Sequence, residues 1–105
     1  MLKCFDAAAN PYLLIGAVLA TGLAGLEAGH SLPPETVGDP AALDTAERLP
    51  ASLPAAIDAF EKSAVLREAL GPELHEAVLA VRRAEAELFA MFTDADVIEA
   101  VRWRY

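Results

Sequence analysis

Between Tyr12 and Leu26 the chain carries no charged side chain, and only Gly16, Thr21, Gly22 and Gly25 interrupt its run of apolar residues. A helix over this stretch is apolar on nearly every face, and such a helix is stable in water only when protein or lipid covers it all round. Its start is well marked, with Asn10 as N-cap and Pro11 at the first helical position, where a missing N–H costs nothing. The helix is expected to run to about Glu27 or Ala28, with Gly29 as its stop. Lys3 ahead of an apolar run also suits a secretory signal or membrane anchor. Against that, Asp6, Asn10 and Pro11 interrupt the approach, the run is shorter than the roughly 20 residues a membrane helix needs, and three internal glycines weaken a lone helix. A helix buried in protein is the expectation, and a chain of 105 residues has little else with which to bury it.

The rest of the chain reads as a strap followed by helices. Residues 29–51 contain Pro33, Pro34, Gly38 and Pro40 with acids between them, which predicts an extended connection with one helical turn near 41–47. So long a loop is unusual in so small a unit and suggests a strap lying over a larger body. Ser52 caps a second helix over 53–70, with Ile57, Phe60, Ala64 and Leu70 on its apolar stripe and Gly71-Pro72 ending it. A third helix is expected over 72–92, with Leu74, Val78, Val81, Leu88 and Phe92 at helical spacing and Glu85 interrupting the stripe. Thr93 and Asp96 form a capping-box pattern for a fourth helix that turns Val97, Ile98 and Val101 inward, ahead of Trp103 and Tyr105. The fold class is mainly α, with four helices and a long Pro-rich strap; no strand and no repeat stands out.

Charge and residue chemistry exclude several functions. Sixteen acidic against eight basic side chains give a net charge of −8. That balance argues against binding a nucleic acid or an anionic membrane, since few cations are available to displace counterions. Arg82-Arg83 and Arg102/Arg104 read as solvated faces or ion pairs. Cys4 is the only cysteine, so no intrachain disulfide is available, no Cys/His spacing suits zinc, and a reducing cytoplasm fits best. His30 and His75 are far apart and read as surface or loop histidines. The glycines at 16, 22 and 25 lie inside a helix and lack the setting of a phosphate loop. The carboxylate pairs Glu73/Glu76 and Glu85/Glu87 read as polar helix faces rather than acid–base pairs. Ser31, Ser52 and Ser63 have no nearby base, and Phe60, Phe89, Phe92, Trp103 and Tyr105 fall at packing positions. On its residues alone the chain is an acidic helical domain with no visible active site, expected to hold no cofactor or metal itself.

One segment changes this reading. D-A-A-A-N-P-Y-L-L-I-G-A-V-L-A-T-G-L-A-G-L-E, Asp6 to Glu27, resembles a signature of the glutamine synthetase catalytic domain. There a D-x-x-A-N-P-Y-L segment leads from an active-site strand into a buried helix. S-L-P-P-E-T-V-G-D-P resembles the family's Pro-rich strap, and L-P-A-S-L-P-A-A-I from Leu49 to Ile57 its next helix start. Residues 65–89 and 93–105 look like the branch that includes γ-glutamylpolyamine synthetases.

The resemblance implies that the chain corresponds, over residues 1–105, to the C-terminal helical part of an α+β catalytic domain. It also implies the family's chemistry: ATP and magnesium or manganese are used to phosphorylate the γ-carboxylate of glutamate, and ammonia or another amine displaces the phosphate. That chemistry needs a carboxylate cage for metals and cations for the developing phosphate charge, and the family places these on strands upstream of NPYL. A Glu-x-Arg pair precedes the family signature; Met1 falls at the Glu position and Lys3 at the Arg position. Methionine is no hard oxygen ligand, and lysine keeps the charge without the bidentate fork. Lys3 is therefore the one substrate-binding candidate, no catalytic residue is assigned, and the chain is expected to be inactive alone. The expected partners are a missing N-terminal portion or a full-length homologue, with a homo-oligomer as a further expectation.

Overall fold

The computed structural model describes residues 9–39 and 48–103. The described residues form five helices and no strand: α1 (Pro11–Glu27), α2 (Leu53–Lys62), α3 (Ala64–Leu70), α4 (Pro72–Leu88) and α5 (Asp94–Val101). Met1, Lys3, Cys4, the turn expected at 41–47 and Tyr105 lie outside the described residues.

The ends of α1 form as their residue types dictate. The Asn10 side chain accepts from the N–H of Tyr12 at 3.0 Å and of Leu13 at 3.3 Å, satisfying two donors that a helix start leaves open. At the other end Gly29 adopts φ +66, and the N–H groups of Gly29 and His30 reach back to the carbonyls of Leu26 and Gly25. This is a Schellman stop, and the positive φ is why a glycine stands there. The strap continues from it without helix or strand as far as residue 39.

Five helices replace the expected four because the 53–70 helix breaks at Ser63. Ser63 has φ −76 and ψ 101, outside the helical region, and its hydroxyl accepts from the Leu66 N–H at 3.3 Å to cap α3. Serine offers the backbone this local bond in place of a helical one. The break allows α2 to pack on α4 while α3 packs on both α1 and α4. The third helix stops at Leu88, short of the expected Phe92. Thr93 must be extended to cap α5, so the chain leaves the helix before it, in tight turns that bring the rings of Phe89 and Phe92 edge to face at 5.6 Å. The capping box itself forms, with Asp96 N–H to the Thr93 hydroxyl at 3.3 Å and Thr93 N–H to the Asp96 carboxylate at 3.2 Å.

The core differs from the expected stripe by a small rotation of α4. Among the described residues only Ile57, His75 and Leu79 are buried, whereas Leu74, Val81, Leu88 and Phe92 are exposed. His75, expected at the surface, is the residue with no exposed area at all. Ile98 on α5 points to solvent rather than inward. No residue of α1 is buried, although the helix lies against α3. The expectation of a covered first helix is thus not met within the chain.

Surface area measures the shortfall. The chain exposes 8963 Å² at 11.1 kDa, where a folded monomer of that mass exposes about 5,600 Å². Its radius of gyration is 16.1 Å, against about 13 Å for a compact chain of this length.

Candidate functional site

Three places gather side chains that bear on function. The first is the crossing of α2 and α4. Here the His75 imidazole stacks on Phe60 with ring centroids 4.5 Å apart and planes 14° from parallel. Its Nε2 lies 3.1 Å from the Phe60 carbonyl oxygen. A carbonyl only accepts, so Nε2 carries the proton and Nδ1 is left a bare acceptor. That Nδ1 is buried and has no hydrogen-bond partner. Beside it, Leu53, Ala56, Ile57, Phe60, Val78 and Leu79 line an apolar groove with Arg82 at its rim. The groove offers packing surface and one cation, which itself reaches Glu85 at 2.6 Å.

A charged recess lies on the other side of the same crossing, lined by Glu61, Arg67, Glu76 and Arg83. Arg83 of α4 binds Glu61 of α2 at 2.6 Å, each side chain about half exposed. The hydrogen bond from Arg83, and then its charge, hold the Glu61 carboxyl below the ordinary carboxylate range; the same pair holds Arg83 above its ordinary value. An exposed pair of this kind fixes geometry more than it adds stability. Asp96 is likewise held low, first by the Thr93 hydroxyl and then by the Thr93 N–H.

The third place is the outer face of α1. Tyr12, Ile15, Leu19, Leu23 and Leu26 are each more than half exposed, with Tyr12 at 87%. The opposite side, with Leu13, Leu14, Ala17, Val18, Ala20 and Ala24, is half-buried. Leu13 lines a shallow recess with Ala77, Val78, Val81 and Arg82 of α4, while Ala20, Leu23 and Ala24 line another with Val65 and Ala69 of α3.

The residues weighed in the sequence fall as follows. Ser52 and Ser63 are helix caps. Glu73, Glu76 and Glu87 are exposed on α4, and Glu85 pairs with Arg82. His30 is exposed beyond the α1 stop. Lys3 lies outside the described residues, so the structure brings nothing to it. Among the described residues no three His, Cys, Asp or Glu side chains are grouped so as to hold a metal ion, and no helix is long and apolar enough to cross a membrane. The buried role of His75 was missed, although its spacing of three and four residues from Val78 and Leu79 was available as a second stripe.

Comparison with known proteins supplies what the geometry does not. The family model described as glutamine synthetase, catalytic domain, matches residues 2–100. The γ-glutamylpolyamine synthetase GlnA3 of Streptomyces coelicolor is 47% identical over 111 residues, covering 99% of this chain and 24% of that protein. The glutamine synthetase of Mycolicibacterium smegmatis is 37% identical over 89 residues, covering 78% of this chain and 20% of the relative. That of Pyrococcus abyssi is 34% identical over 105 residues, covering 89% and 23%. No solved structure gives a significant match. The chain spans about a quarter or less of the length of these relatives. It belongs to the glutamine synthetase catalytic-domain family and corresponds to a part of that domain.

Proposed function

We propose that this member of the family forms the C-terminal helical portion of an ATP-dependent glutamate–amine ligase, and that it is inactive unless joined to the remainder of such a catalytic domain. In this reading the complete ligase phosphorylates the γ-carboxylate of glutamate, and ammonia or a polyamine then displaces the phosphate. The share of the relatives' length is the observation that carries it: a phosphoryl-transfer site draws charged groups from several elements, more than about a quarter of a ligase supplies. The higher identity to a polyamine-using relative than to the glutamine synthetases supports a polyamine as the amine. ATP and magnesium or manganese are then cofactors of the assembled enzyme, and the cytoplasm its compartment. Lys3 is the residue of this chain proposed to approach substrate, as the cation preceding the signature.

The role of the helices is mechanical. α1 carries the NPYL turn at its head, with Asn10 and Pro11 fixing where the chain enters the helix. The packing of α1 on α3 and of α3 on α4 gives that entry a support. A group placed just ahead of Asn10 inherits its position from this framework, and small displacements of catalytic groups cost large factors in rate.

A second reading rests on the outer face of α1. A segment with this much exposed apolar surface suits a non-catalytic module that docks on a full-length relative. One experiment separates the two. The chain alone and the chain mixed with a full-length family member are sized by light scattering, and ATP- and glutamate-dependent phosphate release is assayed in each pool. Silence alone and activity only on adding a ligase portion that ends before residue 6 supports the first reading. Binding to an intact relative without a change in its turnover supports the second. Metal-dependent phosphate release by the chain alone overturns both.

A further inference from the structure

The Phe60 carbonyl decides whether residues 53–70 form one helix or two. In an unbroken helix it would accept from the Ala64 N–H, and the Lys62 carbonyl from the Leu66 N–H. Here both bonds are replaced. The Phe60 carbonyl accepts from the Ser63 N–H at 3.2 Å and from His75 Nε2, 15 residues further on, at 3.1 Å. The Leu66 N–H is taken by the Ser63 hydroxyl at 3.3 Å. One replacement thus comes from the serine at the bend and the other from a separate helix.

The local preference runs the other way. No glycine or proline stands between Pro54 and Gly71, and the 7 residues of α3 fall short of the roughly 12 at which an isolated helix becomes even marginal in water. Joining α2 to α3 would give the N–H groups of Ala64 and Val65 the helical partners they lack here. What the bend gains is tertiary: it lets α3 meet α1 and α4 while α2 meets α4. Local and tertiary preferences oppose each other at one residue, the condition under which a segment has two discrete arrangements.

We propose that residues 53–70 are a two-position elbow: His75 and Ser63 latch it bent, it straightens when both latches are lost, and the bend decides whether α1 is seated on α3. Ser63 is the local latch. His75 is the tertiary one, because it reaches the Phe60 carbonyl only where α4 crosses α2. By linkage, whatever fixes α1 on α3 favours the bend, and whatever straightens the elbow frees α1. In the ligase reading a freed α1 shifts the entry at Asn10 and Pro11. The elbow itself does not rest on that reading, and its test measures no activity.

The test uses the full chain. The parent's Ala64 amide is expected to exchange near its intrinsic rate. In Ser63→Ala/His75→Leu it gains the Phe60 carbonyl, and exchange is expected to slow at least about tenfold. Ser63→Ala/His75→Gln is expected to stay bent, because a glutamine amide can donate to that carbonyl as the imidazole does. Spin labels at Glu27→Cys and Glu68→Cys, with Cys4→Ser as background, report the seating of α1, since Glu27 and Glu68 line one recess between α1 and α3. They are expected to lie close in the parent and the glutamine variant, and to separate in the leucine variant. Ala64→Pro supplies a lock. Ala64 opens α3, and Ser63 before it has φ −76 and ψ 101, a backbone suited to precede proline, whereas the interior of a straight helix excludes proline. Added to Ser63→Ala/His75→Leu, it is expected to restore the short label distance, which an unfolded chain would not do. An Ala64 amide that stays unprotected in the leucine variant overturns the proposal. So does equal protection in the leucine and glutamine variants, a label distance unmoved while Ala64 becomes protected, or a leucine variant that Ala64→Pro does not restore.

Discussion

Replacing His75 separates what its volume contributes from what its nitrogens contribute. In His75→Ala the crossing of α2 and α4 loses a ring with no exposed surface, the 4.5 Å stack on Phe60 and the bond to the Phe60 carbonyl. The bond accounts for about 1 kcal/mol, the stack for about 0.5–1.5 kcal/mol, and the cavity for roughly another 1–2 kcal/mol. Alanine's helix propensity returns about 0.6 kcal/mol, leaving a loss of roughly 2–4 kcal/mol. Globular units hold only about 0.05–0.15 kcal/mol per residue, so a loss of this size removes most of the stability of the α2–α5 segment. His75→Leu keeps most of the volume and removes both nitrogens. It relieves the buried, partnerless Nδ1, a liability of about 1–3 kcal/mol, and the Phe60 carbonyl still accepts from the Ser63 N–H at 3.2 Å. Its stability is expected to fall within about 1 kcal/mol of the parent by these same terms. Urea titrations followed by circular dichroism at fixed protein concentration measure both midpoints, with the slopes compared to exclude a change in the unfolded state. If leucine costs as much as alanine, the bare Nδ1 is no liability and the reasoning fails.

Two further predictions concern backbone and cap. Gly71 joins α3 to α4 at φ +75 and ψ 157, while a Cβ there would meet only Glu73 Oε2 at an ordinary 3.8 Å. Gly71→Ala is thus expected to cost about 1–3 kcal/mol through backbone strain alone, read as a lowered urea midpoint with an unchanged slope. Asp96 is held low by Thr93, so its contribution is complete above the unfolded carboxyl value near pH 4 and is lost as pH falls through the lower folded value. Amide exchange at Thr93 and Asp96 is expected to be constant from pH 7 to 5, after correction for intrinsic rates, and to quicken below about 4; Thr93→Ala is expected to abolish that step.

Local signals in the sequence proved the more legible. Asn10, Pro11 and Gly29 bound α1, Ser52 starts α2, Gly71-Pro72 parts α3 from α4, and the Thr93–Asp96 box starts α5, each through bonds to nearby backbone. The break at Ser63 was not legible, because a serine hydroxyl is compatible with a helix interior and only the packing of α3 between α1 and α4 selects the cap. The rotation of α4 was hidden for a related reason. Leu74 and Val81 are more apolar than His75, yet burial follows the geometry of the crossing, where an imidazole can both stack on Phe60 and bond its carbonyl. Family membership was legible from Asp6 to Glu27. Lys3 was singled out through the family motif, and nothing in the described residues bears on it.

The connection from Glu27 to Leu53 makes α1 a ligand tethered to its own receptor. Its inner face meets α3 across this connection, and closing a loop of about 25 residues costs roughly 3 kcal/mol of chain entropy, apart from a constant. A covalent connection turns the docking of α1 on α3 into an intramolecular event with an effective concentration of its own. A free competitor for the inner face must work against that concentration, whereas a partner for the outer face meets no such opposition. The length of the strap thus sets the concentration against which a competitor for the inner face must work.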